Sequence, residues 1–126
     1  MSYPANYKYT DQHEWVSVSG DIATVGITHH AQDALGDIVH VELPAVGKQL
    51  KKGATVCEVE SVKAVSDVYA PVSGIVTEVN AALDGNEATI NKDAHGEGWL
   101  YKLRMADAGE LAGLMDVAAY TAHADH

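Results

Sequence analysis

Six short runs rich in β-branched residues, each bounded by glycine, proline or aspartate, commit this chain to small β-sheets. Residues 22–27 start after Gly20-Asp21, and residues 38–43 alternate in polarity until Pro44 stops them. Residues 55–60 follow the Lys52-Gly53 turn, and residues 65–70 end at Pro71. Gly74 then opens residues 75–79, and residues 100–103 follow Trp99. Strands this short and this regularly interrupted predict a mainly β sandwich or barrel-like domain.

Two peripheral helices are expected beside the strands. Thr28 is placed to cap residues 29–35, with Gly36 as the stop. Asp107 and Glu110 have the spacing of a reciprocal capping box ahead of Leu111, Leu114 and Met115, which places a helix near the C-terminus. The tail from about Thr121 is expected to fray, and residues 1–6 and 121–126 to be flexible. No linker or low-complexity tract divides the 126 residues, so residues 1–126 read as one domain.

Composition narrows the function classes. A formal charge of −10 argues against a polyanionic partner, whether nucleic acid or an anionic membrane, and suits docking to basic patches. No apolar run approaches the ~20 residues of a membrane helix. Cys57 is the single cysteine, which excludes an internal disulfide and points to the cytoplasm. With Val56, Glu58 and Val59 as neighbours it reads as a buried, inert thiol. The first residues contain no basic segment leading into an apolar stretch, consistent with a protein that stays where it is made; a mature mitochondrial-matrix form would read the same way. The seven histidines include the adjacent pair His29-His30, expected to point apart, and His123 with His126 in the tail. None forms a cluster with ligand spacing, so no metal site is expected.

The informative stretch is residues 58–71. Lys63 is the only base between residues 54 and 78, set among Glu58, Glu60, Asp67 and Glu78. The bland reading is a solvated lysine in an acidic strand pair. A self-activated amine is disfavoured, because nearby carboxylates stabilise the ammonium form. Lys63 therefore reads as a handle that another enzyme modifies. Turn propensity does not mark a hairpin here: Ser61-Val62-Lys63-Ala64 has no Gly, Asn or Pro, and a strand would run straight through it.

Glu60-Ser61-Val62-Lys63-Ala64, followed by Ser66-Asp67 and Ala70-Pro71-Val72-Ser73-Gly74, resembles the lipoyl-attachment region of glycine cleavage system H proteins. The likeness extends to His13-Glu14-Trp15, Val25-Gly26-Ile27-Thr28, Ala31-Gln32, Leu35-Gly36-Asp37, Val41-Glu42-Leu43-Pro44, Glu78-Val79-Asn80 and Gly96-Glu97-Gly98-Trp99. It covers about residues 7 to 120. The resemblance implies a lipoyl/biotinyl-type hybrid sandwich or flattened barrel of two small antiparallel sheets, with lipoate attached to Lys63 at a hairpin tip. It implies that Glu60 and Gly74 are read by the lipoylating enzyme, a lipoate ligase or octanoyltransferase, and that Glu14 and Asp67 line a groove protecting the loaded arm. Gly74 also has a local reading, since lack of a Cβ lets the turn after Pro71 close.

By the same resemblance the protein is a carrier and not an enzyme. Its arm visits a pyridoxal-phosphate glycine decarboxylase, a tetrahydrofolate-dependent aminomethyltransferase and a flavin dihydrolipoyl dehydrogenase. Gln12, His29-His30 and Asp93-Ala94-His95 depart from the family pattern; the last two are read as surface loops or helix starts. Biotin carriers place Met on both sides of the lysine, and 2-oxo-acid dehydrogenase lipoyl domains place Asp before it, unlike Val62 and Ala64 here. An H-like protein that relays lipoyl groups to other acceptors has the same lysine and hairpin, and is the main alternative. A metal-binding or structural interaction domain is the remote one.

Overall fold

The computed structural model describes residues 3–124. Nine strands form two antiparallel sheets. They are β1 (Lys8–Tyr9), β2 (Glu14–Ser19), β3 (Ile22–Ile27), β4 (Ile38–Glu42), β5 (Gln49–Leu50), β6 (Thr55–Ser61), β7 (Val65–Tyr69), β8 (Gly74–Val79) and β9 (Tyr101–Met105). Three helices accompany them: α1 (His29–Leu35), α2 (Ala88–Lys92) and α3 (Val117–Ala124). The larger sheet runs β1-β2-β3-β9-β8-β5 and the smaller β4-β6-β7. Both end in edge strands, so the architecture is an open sandwich and no barrel closes. No helix among the described residues is long and apolar enough to cross a membrane.

The six runs read from the sequence are all strands; alternation buries one face of most of them, while bulges in β4 and β6 interrupt it, so Val39 is exposed beside buried Ile38 and Val56 and Cys57 are buried side by side. Val25 and Leu103 of the larger sheet and Val59 and Val68 of the smaller one share a single buried cluster. Each such side chain removed from water contributes about 1.5–3 kcal/mol toward the cost of ordering the chain. A second, aromatic cluster of Tyr9, Trp15 and Tyr120 closes the end where β1 and α3 meet. Tyr9 and Tyr120 stack at 4.7 Å.

Helix α1 is capped as expected: Thr28 Oγ1 accepts from Ala31 N at 3.2 Å, and Gly36 ends the helix at φ 81°. The capping box at Asp107 does not form. Residues 108–113 make a 3-10 turn, Asp107 caps Gly109 N, and the Glu110 carboxylate turns away to accept from Ser73 N and Oγ. Two glycines within six residues disfavour the longer helix, and the two Ser73 contacts compensate Glu110. The C-terminal helix is α3 instead. Thr121–Ala124, expected to fray, belong to it, because fully buried Tyr120 pins the helix down. At the other end Tyr3, inside the segment read as flexible, packs edge-on against Tyr9 and Tyr120. His126 lies outside the described residues.

Candidate functional site

The Ser61-to-Ala64 turn joins β6 to β7 and is built by one side chain. Ser61 N donates to Ala64 O at 2.8 Å. Ser61 Oγ accepts from Lys63 N at 3.1 Å and from Ala64 N at 3.0 Å, and donates to Ala64 O. The hydroxyl does locally what an Asn or Gly would do elsewhere. Ser61 is thus a residue whose role turn propensity missed, although a hydroxyl at the first turn position was the available signal. The tip also rests on the body: Val62 N donates to Asp37 O at 3.1 Å.

Lys63 is exposed at this tip, flanked by exposed Val62 and Val65. Its stem passes over Gly36, where a Cβ would lie 3.4 Å from Lys63 Cε. The single ion pair among the described residues is Arg104 with Asp21, so no carboxylate clamps the Lys63 amine. Glu60 is exposed beside the tip, opposite His40 on β4 and Val65 on β7. Glu42, Glu58 and Asp67 stand in register across β4, β6 and β7 and form an exposed acidic row. The carboxylates near Lys63 in sequence therefore supply a field at the tip, not a salt bridge.

Gly74 is buried at the start of β8. A Cβ there would come within 2.1 Å of Arg104 O and 2.6 Å of Leu103 Cδ1. Close approach of β9, more than closure of the turn after Pro71, requires glycine at this position.

Glu14, on β2, is 1 % exposed. Its carboxylate accepts from Thr10 Oγ1 and, at 3.1 Å, from Tyr69 N. Burial pushes its pKa up, opposed by those two hydrogen bonds. It lines a cavity of about 550 Å³ with Thr10, Gln12, Lys52, Tyr69 and Pro71 among its walls. Asp67 is outside this wall, exposed two residues nearer the tip on the same face of β7 as Tyr69. The two carboxylates read together from the sequence thus stand apart, Glu14 in the wall of the cavity and Asp67 exposed outside it. From Val65 to Tyr69, β7 advances about 13 Å.

The other reactive groups are structural. Burial pushes the Cys57 thiol up to about 12. His95, expected on a surface loop, is buried; its Nε2 accepts from His29 N at 3.1 Å, and burial lowers its pKa to about 4. His29 and His30 do point apart: His29 Nδ1 meets Gln32 Nε2, while His30 stacks on His13 at 4.5 Å. His13 lies at φ 68° with Nδ1 2.7 Å from the Tyr120 hydroxyl. Among the described residues no group of three His, Cys, Asp or Glu could hold a metal ion.

A family model described as glycine cleavage H-protein matches residues 7–126. A glycine cleavage system H protein of Thermotoga maritima is 58% identical over 113 residues, covering 90% of this chain and 91% of the relative. One from Bradyrhizobium diazoefficiens is 56% identical over 115 residues, covering 91% and 94%. The crystal structure of a glycine cleavage system H protein from Mycobacterium marinum superposes with a TM-score of 0.90 at 41% identity, covering 98% of this chain and all of that one.

Proposed function

The chain belongs to the glycine cleavage H-protein family, and on that premise we propose that it is the lipoyl carrier of a glycine cleavage system, with lipoate in amide linkage to Lys63. The observation that carries this reading is an exposed lysine at the tip of a hairpin whose turn is fixed by Ser61, with no ion pair from its amine to a carboxylate among the described residues. Such an amine fits acylation by a lipoate ligase or octanoyltransferase. Exposed Glu60 beside it is a recognition element for that enzyme, and Gly74 acts at a distance by seating β8 against β9.

Lipoate on Lys63 would supply a disulfide able to accept a one-carbon amine on one sulfur while the other is reduced to a thiol, and to be restored by oxidation of the dithiol once the unit has left; a pyridoxal-phosphate decarboxylase, a tetrahydrofolate-dependent aminomethyltransferase and a flavin dihydrolipoyl dehydrogenase are the partners that fit those three exchanges. The protein supplies position and shelter. The acidic row Glu42-Glu58-Asp67 favours approach to basic clefts. A lipoyl-lysine arm of about eleven bonds at ~1.2 Å advance each extends roughly 13 Å, comparable with the length of β7 from Val65 to the groove wall at Tyr69. Glu14 keeps lone pairs beyond those taken by Thr10 and Tyr69, and can accept from a primary ammonium brought there. Asp67 guides that cation along β7. In a bacterium such a carrier works in the cytoplasm, where its partner enzymes are made.

Intact-mass measurement and peptide mapping of the protein from a lipoate-replete host test the proposal. A lipoyl or octanoyl increment on Lys63, lost in Lys63→Arg, is expected. An unmodified chain in a host with a competent lipoylating enzyme overturns it. The relay alternative separates in a transfer assay, where lipoyl groups would leave Lys63 for a second acceptor protein.

A further inference from the structure

We infer that Asn91 is the positioning residue of the lysine hairpin, fixing from a separate helix the turn on which the tip rests. The inference depends on Lys63 being the modified lysine. Asn91, half-buried on α2, uses its whole amide on the α1–β4 connection. Its Oδ1 accepts from Ile38 N at 2.9 Å. Its Nδ2 donates to Gly36 O and to Gln32 Oε1, each at 2.8 Å. Gln32 is itself buried and held by His29 through Nε2. Residues 36–38 are thereby gripped on both sides of Asp37.

Asp37 O is the acceptor for Val62 N, and Gly36 is the surface over which the Lys63 stem lies. The path from Asn91 to the modified amine therefore has two steps: amide to turn, and turn to hairpin tip. No other side-chain hydrogen bond to the 36–38 backbone is formed among the described residues. Gly36, at φ 81°, cannot hold that geometry by steric preference, because glycine has no intrinsic bias toward it. Without Asn91, residues 36–38 keep only backbone ties, the cap bond from Gly36 N to Gln32 O on one side and the pairing of Ile38 with Ser61 and of Asp37 O with Val62 N on the other. The Asn91 side chain bonds to Ile38, Gly36 and Gln32 and not to Lys63, so its effect appears as tip order and modification efficiency.

Asn80 provides the control, being a buried asparagine that clamps backbone in the same way at another place. Its Nδ2 donates to Glu97 O and Trp99 O. The experiment compares wild type, Asn91→Ala and Asn80→Ala as apo-proteins, well below their unfolding midpoints. Initial rates of modification by purified lipoate ligase with lipoate and ATP are read by intact mass, and amide hydrogen exchange is read at Ile38 and Val62. Asn91→Ala is expected to lower ligation kcat/KM about fivefold, the effect of one lost hydrogen bond, and to speed exchange at both amides. Asn80→Ala is expected to lower thermal stability yet leave both readouts unchanged. Asn91→Asp, which keeps the acceptor for Ile38 and loses both donors, serves if the alanine variant does not fold. Wild-type exchange at Val62 in the Asn91 variants, or equal slowing by Asn80→Ala, overturns the inference. If wild-type protein is not ligated at Lys63, the carrier reading fails, and the exchange data alone decide the role of Asn91.

Discussion

Glu14 and Tyr69 are joined across 55 residues of sequence by a 3.1 Å hydrogen bond from the Tyr69 amide to a carboxylate oxygen. The bond ties β2 of the larger sheet to the last residue of β7, the return strand of the lysine hairpin. A buried carboxyl group thus sits against the end of that strand. Its placement couples the stability of the sandwich to the shelter proposed for the loaded arm.

Glu14→Gln should separate those two effects. Because burial raises the Glu14 pKa in the folded state, the unfolded chain gives up this proton at lower pH than the folded one. Stability is then lost as pH rises from the ordinary carboxylate value. Glutamine removes that titration but offers one acceptor oxygen where the carboxylate offers Thr10 Oγ1 and Tyr69 N one each, so the thermal midpoint of the variant should depend less on pH between 4 and 7 than that of wild type. Loss of a charge-assisted contact to an ammonium should speed release of the amine from the loaded arm by roughly 10-fold or more. Calorimetry and a discharge assay on the same variant check both signs.

His95 predicts loss of stability in acid. Its folded pKa is lowered to about 4 from 6.5, chiefly by burial and then by the charge of His29. The unfolded chain takes up this proton below about pH 6.5, while the folded chain resists until about pH 4. Stability is therefore present above pH 6.5 and declines as pH falls through that window, by roughly 2–3 kcal/mol for this group. Denaturant melts from pH 7 to pH 4 should show the decline. His95→Gln, which can still accept from His29 N, should flatten it; His13, lowered in the same direction, adds to the slope and Glu14 opposes it.

Ser61→Ala should loosen the tip without unfolding the sheets. It removes the acceptor for Lys63 N and Ala64 N, at a cost of about 1–2 kcal/mol. Faster amide exchange at Lys63 and Ala64, with core exchange unchanged, is the expected result. Ligation of lipoate should slow severalfold.

Gly74→Ala should destabilise the fold by about 3 kcal/mol, because the new methyl meets the Arg104 carbonyl, which is backbone and cannot turn aside. Gly47→Ala, with nothing near its Cβ but φ 92°, should cost about 1 kcal/mol. Urea melts of the two variants test whether contact or backbone conformation governs each glycine.

The sequence by itself determined six of the nine described strands, since a short β-branched run bounded by turn residues is a local property that burial then uses. It determined the α1 cap, where Thr28 and Gly36 act within one helical turn, and it marked Lys63 through resemblance to a family. Three short or less punctuated strands, β1, β2 and β5, went unread, although Glu14–Ser19 alternates. The tertiary structure decided everything that depends on chain segments distant in sequence. Glu110 abandoned a capping box because Ser73 offered two donors. Residues 121–124 are helical because Tyr120 finds a pocket between Tyr9 and Thr28. Glu14 and Asp67, paired by resemblance, are separated, Glu14 buried in a cavity wall and Asp67 exposed outside it. Asn91 carries no local signal at all, because its three partners are 53 to 59 residues away. Propensity and spacing report what a residue does to its neighbours in sequence, whereas hydrogen-bond acceptors and close backbone approaches are supplied by whatever the fold brings alongside.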